Sequence, residues 1–299
     1  MKIFVTGGTG FVGRETISKL HTAGHQLRCL VRKGSEEKLP KIKELEPFFG
    51  DASEAVSLRG GLDGCDAVVH LIGIIREFPD QGKGVTFERL HVEATRNMVD
   101  LTVQSGIRRF LQMSANGAAE QGETGYQKSK WQAEELVRAS GLDWTIFRPS
   151  IIFGAESEFI RMLVSIIKTL PVIPVIGNGR YEMQPVAVGQ VADSFVRALD
   201  RPATIGRTYH LAGPKPYSYL EMLNTVSHAL RRGEIKTIRQ PLFLMRPAIK
   251  MLQTFQHFPI TSDQLTMLLN GNVCDPSEWA KDFDLQPLDF ADGIGDCLR

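Results

Sequence analysis

Short apolar runs and stretches with helical spacing alternate along the first half of the chain. The first run, Ile3 to Val5, suits a strand that is buried on both faces. The pattern predicts strands at 3–5, 26–31, 47–49, 67–72, 109–114 and 143–147. It predicts helices at 14–23, 55–61, 87–106 and 126–140. This alternation predicts an α/β fold built on a doubly wound parallel sheet, with helices on both faces.

A glycine-spaced turn joins the first predicted strand to the first predicted helix. The start of a helix presents free N–H groups and the positive end of its dipole, so a pyrophosphate fits there if no side chain intervenes. A glycine-rich loop without a ligand is the alternative. The strand before, the helix after and a second strand at Gln26–Val31 favour nucleotide binding. The predicted phosphate site comprises Gly7, Thr9, Gly10, Phe11, Val12 and Gly13.

The end of the second predicted strand indicates which nicotinamide cofactor binds. In sheets of this type, an acidic residue there accepts hydrogen bonds from the adenosine ribose and repels a 2′-phosphate. Val31 takes that position and is followed by Arg32 and Lys33. Two cations without a carboxylate favour the phosphorylated cofactor, although both could instead be solvated surface charges. We therefore expect NADP(H) to bind in preference to NAD(H).

The hydrophobic pattern changes after Pro149 and predicts two domains. We expect residues 1–150 to form an NADP-binding domain of the Rossmann type, which residues 186–213 rejoin. We expect residues 151–185 and 214–299 to form a smaller domain for a substrate or partner. Ligands of open parallel sheets lie beyond the carboxyl ends of the strands. The cleft between the domains is therefore the predicted substrate site.

Composition limits the classes of partner. The chain has 35 basic and 34 acidic residues and a net charge of +1, which gives no electrostatic reason to expect nucleic acid. Its cysteines, Cys29, Cys65, Cys274 and Cys297, are scattered and predict reduced thiols with no metal site. The most apolar stretch, 162–176, is too short and too broken by proline to span a bilayer. We expect no signal peptide and a cytoplasmic protein, and leave peripheral membrane association open.

The chain resembles the short-chain dehydrogenase/reductase superfamily, in its extended or atypical branch. The residues that carry the resemblance are the turn 6–13, Gly50-Asp51, 70–73, the pair Tyr126 and Lys130, Arg148-Pro149-Ser150, 186–199 and 208–213. Residues 28–32, 91–97 and 113–115 are similar to the subgroup that includes the nucleotide-binding accessory subunit of respiratory complex I. Besides the turn and the two cations, the resemblance implies cofactor contacts at Asp51, Ala52, Leu71, Ile72, Gly73, Tyr126, Lys130 and Pro149.

Tyr126 and Lys130 are the predicted catalytic pair. They are four residues apart, so a helix presents both on one face. A nearby ammonium favours the phenolate and should lower the tyrosine pKa from its usual ~10. The phenol can then exchange a proton with a substrate oxygen while hydride moves at the nicotinamide. The resemblance also implies that Lys130 holds the nicotinamide ribose.

Two positions depart from the family pattern. Ala115 stands where a serine or threonine usually orients the substrate oxygen, and Ser114 lies one residue earlier, on the opposite face of a continuing strand. Ser114 can serve if the strand has already ended, and Asn116 could donate instead. His91 replaces a helical asparagine and is predicted to be a hydrogen-bonded structural histidine. Catalysis is therefore a weaker prediction than cofactor binding.

Three functions stay open at this point. The first is an NADPH-dependent oxidoreductase acting on an unidentified carbonyl or hydroxyl compound. The second is an accessory or sensing subunit of a redox or membrane assembly that binds NADPH without turnover. The third is a sugar-nucleotide epimerase or dehydratase, which the missing acidic ribose partner disfavours.

The last part of the chain carries fewer signals. Residues 241–252 are apolar with two cations, which suits a core helix or a membrane-surface contact, and we expect core packing. Residues 263–269 are expected to form a helix against the cleft. Substrate contacts are expected in the loops 77–85 and 117–124, which carry no pattern that identifies the substrate.

Overall fold

A seven-stranded parallel sheet lies at the centre of the computed structural model, which describes residues 1–78, 84–253 and 260–298. The strands are β1 (Lys2–Thr6), β2 (Gln26–Val31), β3 (Glu46–Phe49), β4 (Ala67–His70), β5 (Arg109–Met113), β6 (Asp143–Pro149), β7 (Ile152–Phe153), β8 (Ile173–Ile176), β9 (Glu182–Met183), β10 (Val186–Ala187), β11 (Arg207–Leu211), β12 (Tyr217–Ser218) and β13 (Thr237–Gln240). The order across the sheet is β11-β6-β5-β4-β1-β2-β3. The predicted α/β fold with a doubly wound parallel sheet is confirmed.

Helices cover both faces of this sheet. They are α1 (Phe11–Thr22), α2 (Ala94–Gln104), α3 (Gly125–Arg138), α4 (Glu158–Thr169), α5 (Val188–Leu199), α6 (Tyr219–Ala229), α7 (Leu242–Leu252), α8 (Ser262–Asn270), α9 (Ser277–Asp282) and α10 (Phe290–Cys297). A π-helical segment, Glu88–Glu93, leads into α2. Thr124 caps α3 and forms a reciprocal pair of hydrogen bonds with Gln127, so the start of this helix is fixed by its own sequence.

Alternate residues of the strands supply two separate cores. Ile3 and Val5 face a cluster that contains residues of α1, α5 and α9, whereas Phe4 faces one that contains residues of α2 and α3. The side chains alternate because successive residues of a strand point to opposite faces. Both faces of β1 are therefore dry, as its uninterrupted apolar run predicts.

A third core lies outside the main sheet. It contains residues from 153 to 183 and from 217 to 294, and short two-stranded sheets join β7 to β10, β9 to β12 and β8 to β13. Trp279 and Phe283, in contrast, lie in the core of the main sheet. The division of the chain into two domains stays a prediction.

Helix α7 is exposed, and the prediction that residues 241–252 pack into the core is wrong. Ile249 is its buried residue, whereas Phe243 is 75% exposed and Met251 70% exposed. The apolar composition of residues 241–252 is typical of a helix that packs against something. Composition does not indicate whether another part of the chain covers that helix. No helix in the described parts of the chain has the length and apolar character needed to cross a bilayer.

Arg109 is the first residue of β5 and connects elements at the amino-terminal ends of the strands, opposite the glycine turn. Its guanidinium donates to the carbonyls of Asp143 (2.6 Å) and Ala198 (2.7 Å) and to the hydroxyls of Thr145 (2.8 Å) and Thr204 (2.9 Å). Burial lowers the pKa of this guanidinium to about 10, so it stays charged at neutral pH. One side chain thus satisfies acceptors on β6, α5 and the segment before β11.

We expect Arg109→Met to lower the free energy of unfolding by about 2–4 kcal/mol, because buried acceptors lose their donor. Urea denaturation measures this loss. Arg108→Met is the matched control, since Arg108 is exposed and pairs with Asp143 at 2.8 Å. That change should cost less than about 1 kcal/mol. Equal losses in the two variants would contradict the role given to Arg109.

Candidate functional site

The glycine turn is shaped by close backbone approaches. Gly7 has a φ of +73°, and a Cβ on it would lie 2.8 Å from the carbonyl carbon of Leu71 at the end of β4. A Cβ on Gly13 would lie 2.1 Å from the Gly7 carbonyl oxygen. No side chain fits at either position, so the turn packs tightly against β4 and against the first turn of α1.

The start of α1 is open toward a ligand. Gly10 is its N-cap and supplies no side-chain hydrogen bond, and its first turn has no acidic residue. Val12 is buried, while the Phe11 ring packs beside Gly154. The first N–H groups of a helix have no partner within it, so they can bind a pyrophosphate. Backbone from Thr9 to Gly13 therefore fits the diphosphate of a dinucleotide.

Arg14 is a functional candidate that sequence reasoning missed. Its guanidinium donates to the Thr9 carbonyl (3.2 Å) and pairs with Glu156. A cation is thereby held across the glycine turn, where phosphate charge would lie. Its position directly after Gly13 was the signal that could have found it.

Two cations follow β2, at the position predicted for the adenosine end of the cofactor. Arg32 and Lys33 are exposed at the end of β2. Burial alone would raise the pKa of Asp51, but hydrogen bonds from Ser53 and the charges of Arg89 and Arg32 outweigh it and hold that pKa below its usual value. Asp51 is therefore a fixed carboxylate near neutral pH.

Ala52 lies beside Asp51 and is buried. Its carbonyl accepts a hydrogen bond from the Asn97 side chain (2.9 Å). This bond ties the segment after β3 to α2. The backbone of Ala52, a predicted cofactor contact, is thus fixed by a side chain of α2.

Lys130 is buried at the carboxyl edge of the sheet. Its Nζ donates to the Met113 carbonyl (3.4 Å), and a Cβ on Gly73 would lie 2.7 Å from it. Leu71 is buried and Ile72 half-buried directly before Gly73. Burial lowers the pKa of Lys130 to about 8, so it remains mostly charged at neutral pH.

Tyr126 lies one helical turn before Lys130, but its phenol is not activated by it. Burial raises the pKa of Tyr126 to about 12. The expectation that Lys130 lowers this pKa is wrong, because the ammonium is directed to the Met113 carbonyl. The phenol ring instead packs edge-on against Phe87 and His91, with ring centroids 5.7 and 5.6 Å apart.

Ser114 follows the last residue of β5. Its N–H donates to the Phe147 carbonyl at 2.7 Å, and its side chain is 4% exposed. Its hydroxyl has no hydrogen-bond partner among the residues that the structure describes. Lys130 donates to the carbonyl of Met113, the residue directly before Ser114. Pro149 lies at the end of the adjacent strand β6, and its carbonyl accepts from the Asn116 N–H (2.9 Å).

Asn116 is not free to take the place of Ser114. Its amide nitrogen donates to the Asn272 side chain (2.7 Å) and to the Val273 carbonyl (3.2 Å). Its amide oxygen lies 3.1 Å from His210 Nδ1. The expectation that Asn116 could orient a substrate is therefore overturned, because its polar atoms already have partners.

His91 links the segment after β4 to the helix that carries Tyr126. The Ile74 N–H donates to its Nε2 (3.0 Å), so in the neutral ring Nδ1 carries the proton and donates to Ser129 Oγ (2.8 Å). Ser129 Oγ in turn donates to the Tyr126 carbonyl (3.0 Å). Burial and the Lys130 charge lower the pKa of His91 to about 2. His91 is thus a neutral, hydrogen-bonded histidine with a structural role.

A second buried histidine, His70, lies at the end of β4. Its Nδ1 is 2.7 Å from Thr6 Oγ1 and its Nε2 is 3.3 Å from Thr95 Oγ1. Burial, with the charge of Lys130, lowers the pKa of His70 to about 3. Neither histidine is charged near neutral pH, whereas Lys130, whose charge acts on both, is.

Residues 263–269 lie in helix α8, as expected, and α8 contacts the start of α3. Asp263 accepts a hydrogen bond from the Gly125 N–H (3.3 Å), and Asn270 donates to Glu123 (3.0 Å). Of the two loops expected to contact substrate, 117–124 is described, whereas 79–83 within 77–85 lie outside the described residues. The loop before α3 is thus held by the C-terminal part of the chain.

The fold and this edge define a dinucleotide-binding protein of the Rossmann type. A family model described as NAD(P)H-binding matches residues 7–164, just over half of the chain. A second model, RmlD substrate binding domain, matches residues 118–257. The chain belongs to the NAD(P)H-binding family and is an atypical short-chain dehydrogenase/reductase.

Three known proteins illustrate the range of its relatives. NADH dehydrogenase [ubiquinone] 1 alpha subcomplex subunit 9 from Arabidopsis thaliana is 29% identical over 95% of this chain and 73% of its own length. A 4-hydroxy-2-methyl-3-oxo-4-farnesyl-3,4-dihydroquinoline-1-oxide ketoreductase from Stigmatella aurantiaca is 29% identical over 75% of this chain and 72% of its own. The dTDP-glucose 4,6-dehydratase DesIV from Streptomyces venezuelae, with NAD and TYD bound, has a TM-score of 0.76 at 19% identity, over 100% of this chain and 96% of its own.

We expect the stability of the protein to reveal the lowered pKa of Lys130. The folded pKa of about 8 lies below the reference value of 10.5, so between these pH values the unfolded chain binds more protons. Relative to Lys130→Met, the free energy of unfolding of the wild type should therefore rise from pH 8 to pH 10.5. Denaturation at several pH values tests this. Parallel curves for the two proteins would contradict the burial of a charged Lys130.

Proposed function

We propose that the protein is an NADPH-dependent oxidoreductase that acts on a carbonyl or hydroxyl compound. The observation that carries the proposal is the Ser114 hydroxyl, which is buried and lacks a partner in the described part of the chain. A buried polar group without a hydrogen bond costs about 1–3 kcal/mol. In the proposed complex, a substrate oxygen placed near Lys130 and Tyr126 satisfies it.

The cofactor is held by groups along one edge of the sheet. Backbone N–H groups from Phe11 to Gly13 bind the diphosphate, with Arg14 beside them. Asp51, Ala52 and the strand end at Leu71–Gly73 border the adenosine, and Lys130 and Pro149 border the nicotinamide ribose. When bound, NADPH supplies the hydride.

The side chains at this edge favour reduction. The raised pKa of Tyr126, about 12, keeps its phenol protonated at neutral pH, so it can donate a proton to a substrate oxygen. Ser114 donates a hydrogen bond that orients the same oxygen. Lys130, which is directed to the Met113 carbonyl, holds the nicotinamide ribose rather than activating the phenol.

The preference for NADPH is inferred from Arg32 and Lys33. Both are exposed at the end of β2, in the position where an acidic residue would bind the ribose of NAD. Neither forms an ion pair within residues 1–78, 84–253 and 260–298, so both are available to a 2′-phosphate.

An accessory or sensing role without turnover is the second candidate. Its support is the position of Ala115, the engaged Asn116 amide and the relative named as a complex I subunit. This role would place the protein in a redox assembly, and either role is compatible with the proposed cytoplasmic location. A sugar-nucleotide epimerase or dehydratase is favoured by the substrate-binding-domain match and opposed by Arg32 and Lys33.

We expect Arg32→Ala to weaken NADPH binding by at least about tenfold, because a charge-assisted bond to the 2′-phosphate is lost. NADH binding should change little. Titration calorimetry with both cofactors measures the two affinities. Lys41→Ala, at an exposed lysine of the following loop, is the matched control. Equal losses for NADPH and NADH would refute the assignment.

We expect Tyr126→Phe to lower turnover by about 10²–10⁴-fold while NADPH affinity changes little, since only proton transfer is removed. Ser114→Ala should raise KM and lower kcat. NADPH oxidation against a panel of carbonyl compounds provides the readout, and Tyr219→Phe, at a buried tyrosine of the third core, is the control. Tight NADPH binding with no turnover on any compound would favour the accessory role.

A further inference from the structure

Helix α7 presents large apolar side chains to the surface. Phe243 is 75% exposed, Leu244 56% and Met251 70%. A water-soluble surface seldom clusters such residues unless another body covers them. Phe243 and Leu244 thus remain exposed beside the parts of the chain that the structure describes.

The exposed side of α7 is divided into an apolar strip and a cationic strip. Phe243, Pro247 and Met251 are four residues apart and form one row along the helix. Arg246 and Lys250 form the neighbouring row and are both exposed. Apolar side chains beside lysine and arginine are typical of helices that lie in a membrane interface.

Two further exposed apolar residues lie on or beside the strands that precede α7. Strand β13 leads through Pro241 into α7 and pairs in parallel with β8. Ile238 of β13 is 54% exposed, and Val172, directly before β8, is 41% exposed. We call α7 together with Ile238 and Val172 the α7 face.

Residues 235–262, which include α7, contain lysine and arginine but no acidic residue. The sequence has no aspartate or glutamate between Glu234 and Asp263, although acidic residues number 34 in the 299-residue chain. Its cations are Lys236, Arg239, Arg246 and Lys250. The occupant of the α7 face must therefore be apolar in part and negatively charged.

We propose that the α7 face docks on the surface of an anionic lipid bilayer. Such a surface offers apolar chains to Phe243 and phosphate groups to Arg246 and Lys250. A second copy of the chain fits less well, because a two-fold contact would bring the same cations together without acidic partners from this segment. With 11 residues α7 is too short to span a bilayer, so it lies along the surface.

The α7 face is connected to the rim of the candidate site. The carbonyl of Gln253, directly after α7, accepts a hydrogen bond from the Arg76 guanidinium (3.0 Å). Arg76 lies in the segment that follows Gly73, the neighbour of Lys130. A docked α7 would therefore hold this rim close to the bilayer, whichever function the site has.

Flotation of the full chain with lipid vesicles tests the proposal. The wild type should bind vesicles of equal parts phosphatidylglycerol and phosphatidylcholine at least about tenfold more tightly than phosphatidylcholine alone, since each cation near an anionic surface contributes about 1 kcal/mol. The double variant Arg246→Gln, Lys250→Gln should lose about tenfold of the binding to the anionic vesicles. Phe243→Ser should also weaken it severalfold, at unchanged circular dichroism.

Matched controls keep the test specific. Lys41→Gln with Lys43→Gln removes two exposed cations elsewhere, and Val56→Ser removes an apolar side chain that is 72% exposed. Both controls should bind vesicles as the wild type does. Absent binding to anionic vesicles, or equal losses in the controls and the α7 variants, would overturn the proposal.

Discussion

The approach of Gly7 to the end of β4 is the constraint on which the site depends. Because no Cβ fits between Gly7 and Leu71, or between Gly13 and the Gly7 carbonyl, the turn brings the start of α1 to the carboxyl edge of the sheet. The same strand end continues into Gly73, which leaves room for the Lys130 side chain. Two glycines and one strand end thus align the predicted phosphate and nicotinamide positions along this edge of the sheet.

A buried polar layer below this groove sets the charge of the site. Burial makes His70 and His91 neutral and leaves Lys130 as the positive group between them. The hydrogen bonds from Ile74 through His91 and Ser129 to the Tyr126 carbonyl fix the position of helix α3. His91 stands where the resemblance implies an asparagine, and its ring bonds to backbone and serine.

Local sequence patterns predicted the strands and the glycine turn, because these depend on residues that are neighbours in the chain. The bounds of β2 follow from its apolar run, and the glycine spacing located the turn. The engaged Asn116 could not be predicted, because its partner Asn272 is 156 residues away. The four-residue spacing predicted that Tyr126 and Lys130 share one face of a helix. It could not predict where the Lys130 ammonium points, because that depends on Met113 and Gly73, which are distant in the chain. Apolar composition likewise could not tell a covered α7 from an exposed one.

Backbone amide NMR during titration with NADPH tests the central claim most directly. If the first turn of α1 binds the diphosphate, the amide resonances of Phe11, Val12 and Gly13 should shift most, and should saturate with the cofactor. Saturable binding that leaves these resonances unchanged, or no binding of NADPH or NADH by folded protein, would contradict the account.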